Sequence, residues 1–143
     1  MDDVLAGLRA IAEPTRLRIL VLCARSELSV TDLVDILGQS QPRVSRHLKL
    51  MVEAGVLERN REGARAYYRV AERTAGGDVA RALTPLVPAD DAMLETDLAR
   101  LETIRSRRSE RATAYFQENA VHWEDLRGLY VDDALVDASL MEA

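Results

Sequence analysis

The stretch from Ser40 to Arg69 constrains this chain more than any other, because a helix and a hairpin are written there back to back. Ser40 is a capping residue and Pro42 follows in the first turn, so Gln41-Pro42-Arg43-Val44-Ser45-Arg46-His47-Leu48-Lys49 should open a helix. Val44, Leu48 and Met51 recur at i, i+4 and i+7 and mark a core face. The opposite face collects Pro42, Ser45, Arg46 and Lys49, with Arg43 at its flank. Gly55-Val56-Leu57 comes next, then Arg59-Asn60-Arg61-Glu62-Gly63-Ala64-Arg65-Ala66-Tyr67-Tyr68-Arg69. That stretch reads as two short strands joined at a Glu-Gly turn and lined with arginine. A basic helix sized for the major groove, beside a basic hairpin, predicts a mainly α fold with a small β-hairpin wing.

Helical signals surround this unit. Asp2 or Asp3 is placed to cap a first helix carrying Val4, Leu5, Leu8 and Ile11. Glu13-Pro14 breaks it and starts a second helix with an apolar stripe of Leu17, Leu20 and Val21. Ser29 should cap a third, Val30 to Leu37, with Asp32 near its positive end and Gly38 as its stop. Gly76-Gly77 should loosen the chain before a short helix from Asp78 to about Leu86. From Asp90 a long pattern runs through Leu94, Leu98, Leu101 and Ile104. The charged stretch from Arg105 to Arg111 reads as solvated helix, and an aromatic cluster (Tyr115, Phe116, Trp123, Tyr130) follows.

Net charge is −5, which by itself speaks against a polyanionic partner, but its distribution reverses the point. Residues 39–70 hold seven bases against three acids, a local +4, while residues 71–143 hold eight bases against fifteen acids. Phosphate neutralisation depends on the charge that faces the duplex. The N-terminus Met1-Asp2-Asp3 is acidic, unlike a secretory signal, and no apolar run approaches the ~20 residues needed to span a bilayer. The expected location is therefore cytoplasmic. The lone Cys23 lies in an apolar helix, where a buried inert thiol is expected; the alternative is a redox or metal contact across a dimer.

Four motifs, in order, resemble the ArsR/SmtB family of bacterial winged-helix repressors over roughly residues 4–105. They are Ala12-Glu13-Pro14-Thr15-Arg16-Leu17-Arg18-Ile19-Leu20, Glu27-Leu28-Ser29-Val30-Thr31-Asp32-Leu33, Gln41 to Lys49, and Gly55-Val56-Leu57 with Arg61-Glu62-Gly63 and Tyr67-Tyr68-Arg69. The resemblance implies a homodimer joined by its first and last helices, bound to an inverted repeat of double-stranded DNA, and repression that a ligand relieves. It completes the expected architecture as a winged helix-turn-helix with a long C-terminal dimerisation helix. Many metal sensors of the family carry two cysteines where this chain has Ser29 and Thr31, and neither hydroxyl is a soft ligand. The other familiar metal site needs histidine and carboxylate on the last helix, and the histidines here are His47 and His122. No metal site and no cofactor is therefore expected.

A second resemblance lies in the tail. Arg111-Ala112-Thr113-Ala114-Tyr115-Phe116, Asn119-Ala120, His122-Trp123, Leu126-Arg127 and Tyr130-Val131-Asp132-Asp133 are similar to the junction where such a regulator is fused to an S-adenosylmethionine-dependent methyltransferase. That likeness implies either a chain that is the N-terminal regulatory part of a longer protein or a remnant tail that covers another surface, with S-adenosylmethionine or S-adenosylhomocysteine as a candidate effector. After residue 75 the glycines are Gly76, Gly77 and Gly128, so no glycine-rich nucleotide loop is present and the chain itself is not expected to be an enzyme.

The expected organisation is a DNA-binding domain over 1–75, dimerisation helices over 76–112 and a helical tail over 113–143. Gln41, Arg43, Ser45 and Arg46 are expected nearest base edges, with Ser40 and Pro42 beside them; arginine to guanine and glutamine to adenine suit the groove, at about 1–3 kcal/mol per bidentate contact. His47 and Lys49 are expected on phosphates, and Arg61, Arg65 and Tyr67 of the wing on the backbone or minor groove. The rival to this reading is a protein-interaction module that no longer binds DNA.

Overall fold

The computed structural model describes the chain through residue 127, with side chains through residue 114. The elements are α1 (Asp2–Ile11), α2 (Pro14–Arg25), α3 (Val30–Leu37), α4 (Gln41–Glu53), β1 (Leu57–Glu62), β2 (Arg65–Val70), α5 (Ala75–Leu83), a single 3-10 turn (Thr84–Leu86) and α6 (Ala92–Arg127). Met1–Ile104 forms one compact unit, so α5 and the first turns of α6 belong with the winged body; the chain from Arg105 onward is a second unit. The aromatic cluster, His122 and most of the fusion-like tail lie outside the residues whose side chains are described.

The core forms where helical apolar faces converge. Ile19, Leu20, Leu22, Leu33, Ile36, Val44, Leu48, Met51 and Val56 are fully buried. Expected as striped, α2 instead buries Ile19 through Cys23 without a break. Consecutive buried positions wrap a helix all round, so α2 is the central rod of the body. Capping is local and follows the expected residues in α3 and α4. Ser29 Oγ accepts from Asp32 N while Asp32 accepts from Ser29 N, and Ser40 Oγ accepts from Arg43 N. Gly38 closes α3 at φ 67, a left-handed geometry that glycine adopts without cost. In α2, Glu13 is the cap, accepting from Arg16 N at 2.8 Å.

Three expectations are corrected. Neither Asp2 nor Asp3 caps α1; Met1 occupies the cap position and both acids sit in the first turn, near the positive end of the helix. The hairpin turn is Gly63-Ala64, not Glu-Gly, because Glu62 pairs with Arg65. Gly63 takes φ 62 at the first central position, as a two-residue hairpin turn of this type demands. Gly76 and Gly77 do not loosen the chain: they are buried in the first turn of α5. A Cβ on Gly77 would stand 1.9 Å from Ala71 O, and one on Gly76 would stand 2.6 Å from Ala54 O. At a separate contact a Cβ on Gly7 would reach 3.1 Å from Gly76 Cα, so α1 and α5 cross almost backbone to backbone.

Two polar ties fix α6 to the body. Arg18 on α2 grips Asp97, which is 1% exposed, through two hydrogen bonds of 2.7 and 2.9 Å. Arg100 NH1 donates to Ile36 O at 2.8 Å, reaching the last turn of α3.

Candidate nucleic-acid interface

The face of α4 follows from its packing. Val44, Leu48 and Met51 are 0% exposed, which turns Gln41, Pro42, Arg43, Arg46 and Lys49 outward. Ser40 is exposed at the helix start and Ser45 is half-buried. Gln41 Nε2 donates to Ser45 Oγ at 3.2 Å, so two expected base readers are bonded to each other before any partner arrives. His47 stands apart from this face. It is half-buried, with Nδ1 3.3 Å from Arg16 NH1 and 4.0 Å from Glu13 Oε2. Burial pushes its imidazole pKa down, the Glu13 carboxylate opposes this, and Arg16, Arg43 and Arg46 add to it.

The wing presents its charge in two directions. Residues paired across an antiparallel ladder share a face, and successive residues alternate. Arg59 pairs with Tyr68 and Arg61 with Ala66, whereas Arg65 pairs with Glu62 and Asn60 with Tyr67. The exposed Arg61 and Arg65 therefore leave opposite faces of the hairpin, with half-buried Tyr67 on the face of Arg65. Arg69, counted in the basic patch, is held by the Glu58 carboxylate beside it and by Glu27 at 3.2 Å. The outer strand is anchored further back, where Leu28 and Tyr68 exchange both backbone hydrogen bonds.

Sequence reasoning missed Arg16. Its Nε donates to Ala10 O at 2.5 Å and it joins Ser40, Arg43, Arg46, His47 and Leu50 around a cleft of about 500 Å³. The available signal was its place two residues past Pro14, on the first turn of a helix that the body buries. The cysteine-equivalent positions hold no thiol: Ser29 Oγ is committed to capping, and Thr31 is exposed. Among the described residues no three of His, Cys, Asp or Glu gather as a metal site, and no helix is long and apolar enough to cross a membrane.

Helices packed around a central rod, a basic helix behind a tight turn and a two-stranded arginine-bearing hairpin define a winged helix-turn-helix. Residues 13–59 match the family described as bacterial regulatory protein, arsR family. Over 100 residues the chain is 37% identical to an arsenic resistance transcriptional regulator of Pseudomonas putida, covering 69% of this chain and 77% of that one. Over 71 residues it is 41% identical to a probable mercury resistance operon repressor of Streptomyces lividans, covering 50% of this chain and 57% of that protein. The homodimeric winged helix-turn-helix DNA-binding domain of a possible ArsR-family regulator from Mycobacterium bovis superimposes with a TM-score of 0.53 at 34% identity, over 59% of this chain and 75% of that one. The chain thus belongs to the arsR family of bacterial regulatory proteins. It spans about half the length of the first curated relatives it matches.

Proposed function

We propose that this protein is a homodimeric transcriptional repressor that binds an inverted-repeat operator and releases it when a ligand binds. The observation that carries the reading is α4: a family-matched recognition helix whose core face is fully buried and whose Gln41, Pro42, Arg43, Arg46 and Lys49 face solvent. Gln41, Arg43, Ser45 and Arg46 read base edges in the major groove with Ser40 and Pro42 beside them, and Lys49 meets phosphate. The opposed faces of the wing let Arg61 and Arg65 straddle the neighbouring backbone, with Tyr67 behind Arg65. His47 serves from its seat beside Arg16 rather than from the open face.

Dimerisation is supported by α1, where Val4, Leu5 and Leu8 are 42%, 38% and 39% exposed and form an apolar stripe at helical spacing. Two recognition helices then address half-sites about one helical turn apart. The switch is supported by the ties of α6: Asp97 joins it to α2 and Arg100 to the end of α3, so a ligand that moves α6 pulls on the helix-turn-helix. A differential affinity of a few kcal/mol between the two dimer states is enough to release DNA. The regulatory-segment reading, with S-adenosylmethionine or S-adenosylhomocysteine as effector, rests on residues 111–133 alone; transferase activity in a longer chain would support it.

The test is a salt titration of binding to a promoter-derived duplex against a scrambled duplex of equal length. Specific binding that weakens steeply with salt is expected, and Arg43→Ala with Arg46→Ala should abolish it while the dimer persists. Equal, weak binding to both duplexes, or binding that survives the double substitution, overturns the assignment and favours an interaction module.

A further inference from the structure

We propose that Arg16 is a phosphodiester-binding residue and that the cleft between the start of α2 and the exposed side of α4 seats one backbone phosphate of duplex DNA. This rests on the DNA-binding reading above and extends the interface to a second helix. The cleft, of about 500 Å³, is lined by Arg16, Ser40, Arg43, Arg46, His47 and Leu50, with no acid among its walls. The nearby Glu13 carboxylate, 4.0 Å from His47 Nδ1, is engaged as the cap of α2. Three guanidiniums around one recess call for an anion rich in acceptor oxygens. Two of them, Arg43 and Arg46, also belong to the outward face of α4, so an occupant of the cleft is continuous with a duplex on that face.

Arg16 is held ready for this role. Its Nε donates to Ala10 O and NH1 lies 3.3 Å from His47 Nδ1, which leaves little side-chain freedom to be lost on binding. Arginine has only donors, so Nδ1 accepts and the ring proton of neutral His47 sits on Nε2. His47 thereby lines the cleft as a half-buried neutral imidazole instead of a free surface cation. Ala10 is in the last turn of α1, so a phosphate on Arg16 is tied to the helix that carries the exposed apolar stripe.

The experiment compares the full chain with Arg16→Ala and Arg16→Lys on a random-sequence duplex, which removes any need to know the operator. Arg16→Ala should flatten the slope of log K against log salt by about 0.9, the value for one phosphate contact, whereas Arg16→Lys should keep it. An unchanged slope in Arg16→Ala, on a steep parental slope, overturns the proposal and leaves the DNA-binding reading intact. A parental chain with no salt-dependent binding overturns the DNA-binding reading itself. Loss of slope in Arg16→Lys as complete as in Arg16→Ala assigns a structural role and also overturns the proposal. If Arg16→Ala fails to fold, Arg16→Gln, whose amide still donates to Ala10 O, is read the same way. Inorganic phosphate forms the last arm: stabilisation of the parent absent from Arg16→Ala, with duplex slopes equal, reassigns the cleft to a free anion.

Discussion

Arg18 and Asp97 meet across 79 residues of sequence as a two-point ion pair, Nε to Oδ2 at 2.7 Å and NH2 to Oδ1 at 2.9 Å. The Asp97 side chain is 1% exposed and the Arg18 side chain 14%, so the carboxylate exists in the interior because the guanidinium is there. The pairing in turn holds the Arg18 pKa above its ordinary value, chiefly through the hydrogen bond to Asp97 and against the opposing effect of burial.

Removing one partner should leave the other buried without compensation. Asp97→Ala is expected to cost about 3 kcal/mol, read as a lowered urea midpoint. Replacing both partners with apolar residues, Arg18→Met with Asp97→Leu, should recover most of that loss. Equal destabilisation by the single and double changes would show that packing, not the unpaired charge, is responsible.

The start of α5 tolerates no side chain at Gly77, because the nearest obstacle is backbone, Ala71 O. Gly77→Ala should therefore destabilise by about 3 kcal/mol, the upper range for overpacking, although alanine is the better helix former. Thermal melting checks the sign: a stabilised variant would mean that α5 moves away from the wing without cost.

Protonation of His47 should loosen the body. Burial holds its pKa below the ordinary 6.5, so the unfolded chain takes up the proton first as pH falls. Stability is then full above about pH 6.5 and declines below it. Glu13 acts in the same direction in a lower window: burial would raise its carboxyl, but the backbone N–H groups of Arg16 and Thr15 and the His47 and Arg16 charges outweigh that. Its contribution is present above 4.5 and lost as pH falls through its lowered value. Urea midpoints between pH 7.5 and 5.5 should fall for the parent and less so for His47→Gln.

Cys23 should be inert while the chain is folded. Full burial pushes its thiol from 9.0 up to about 12, so the thiolate is about a thousandfold scarcer than in an ordinary cysteine. Alkylation at pH 8 should be negligible in buffer and rapid in urea. Fast labelling of the native chain would reveal a route to the thiol that the packing denies.

Much of the winged body was legible because its signals are local. Ser29, Gly38, Ser40 and Pro42 act on their own backbone or that of the next turn, and the spacing of Val44, Leu48 and Met51 sets a face by helix geometry alone. The outward face of α4 was legible to the same depth: the core takes the side of Val44, Leu48 and Met51, so Arg43 and Arg46 turn to solvent. What stayed hidden involves partners distant in sequence. Arg69 looked like part of the basic surface, yet Glu27 and Glu58 claim it. Nor does the sequence show that His47 sits half-buried beside Glu13 and Arg16. Gly76 and Gly77 looked like slack chain, because a glycine pair reads the same whether it bends or lets two backbones touch.

The sequence by itself determined most of the elements and the caps of α3 and α4, since periodicity and capping chemistry act within a turn or two, and its ordered motifs carried the resemblance to the class. Only the tertiary structure decided which charges remain available. Burial and pairing act over ångströms of space between residues such as Arg18 and Asp97, or Arg16 and His47, whose separation along the chain carries no trace of their contact.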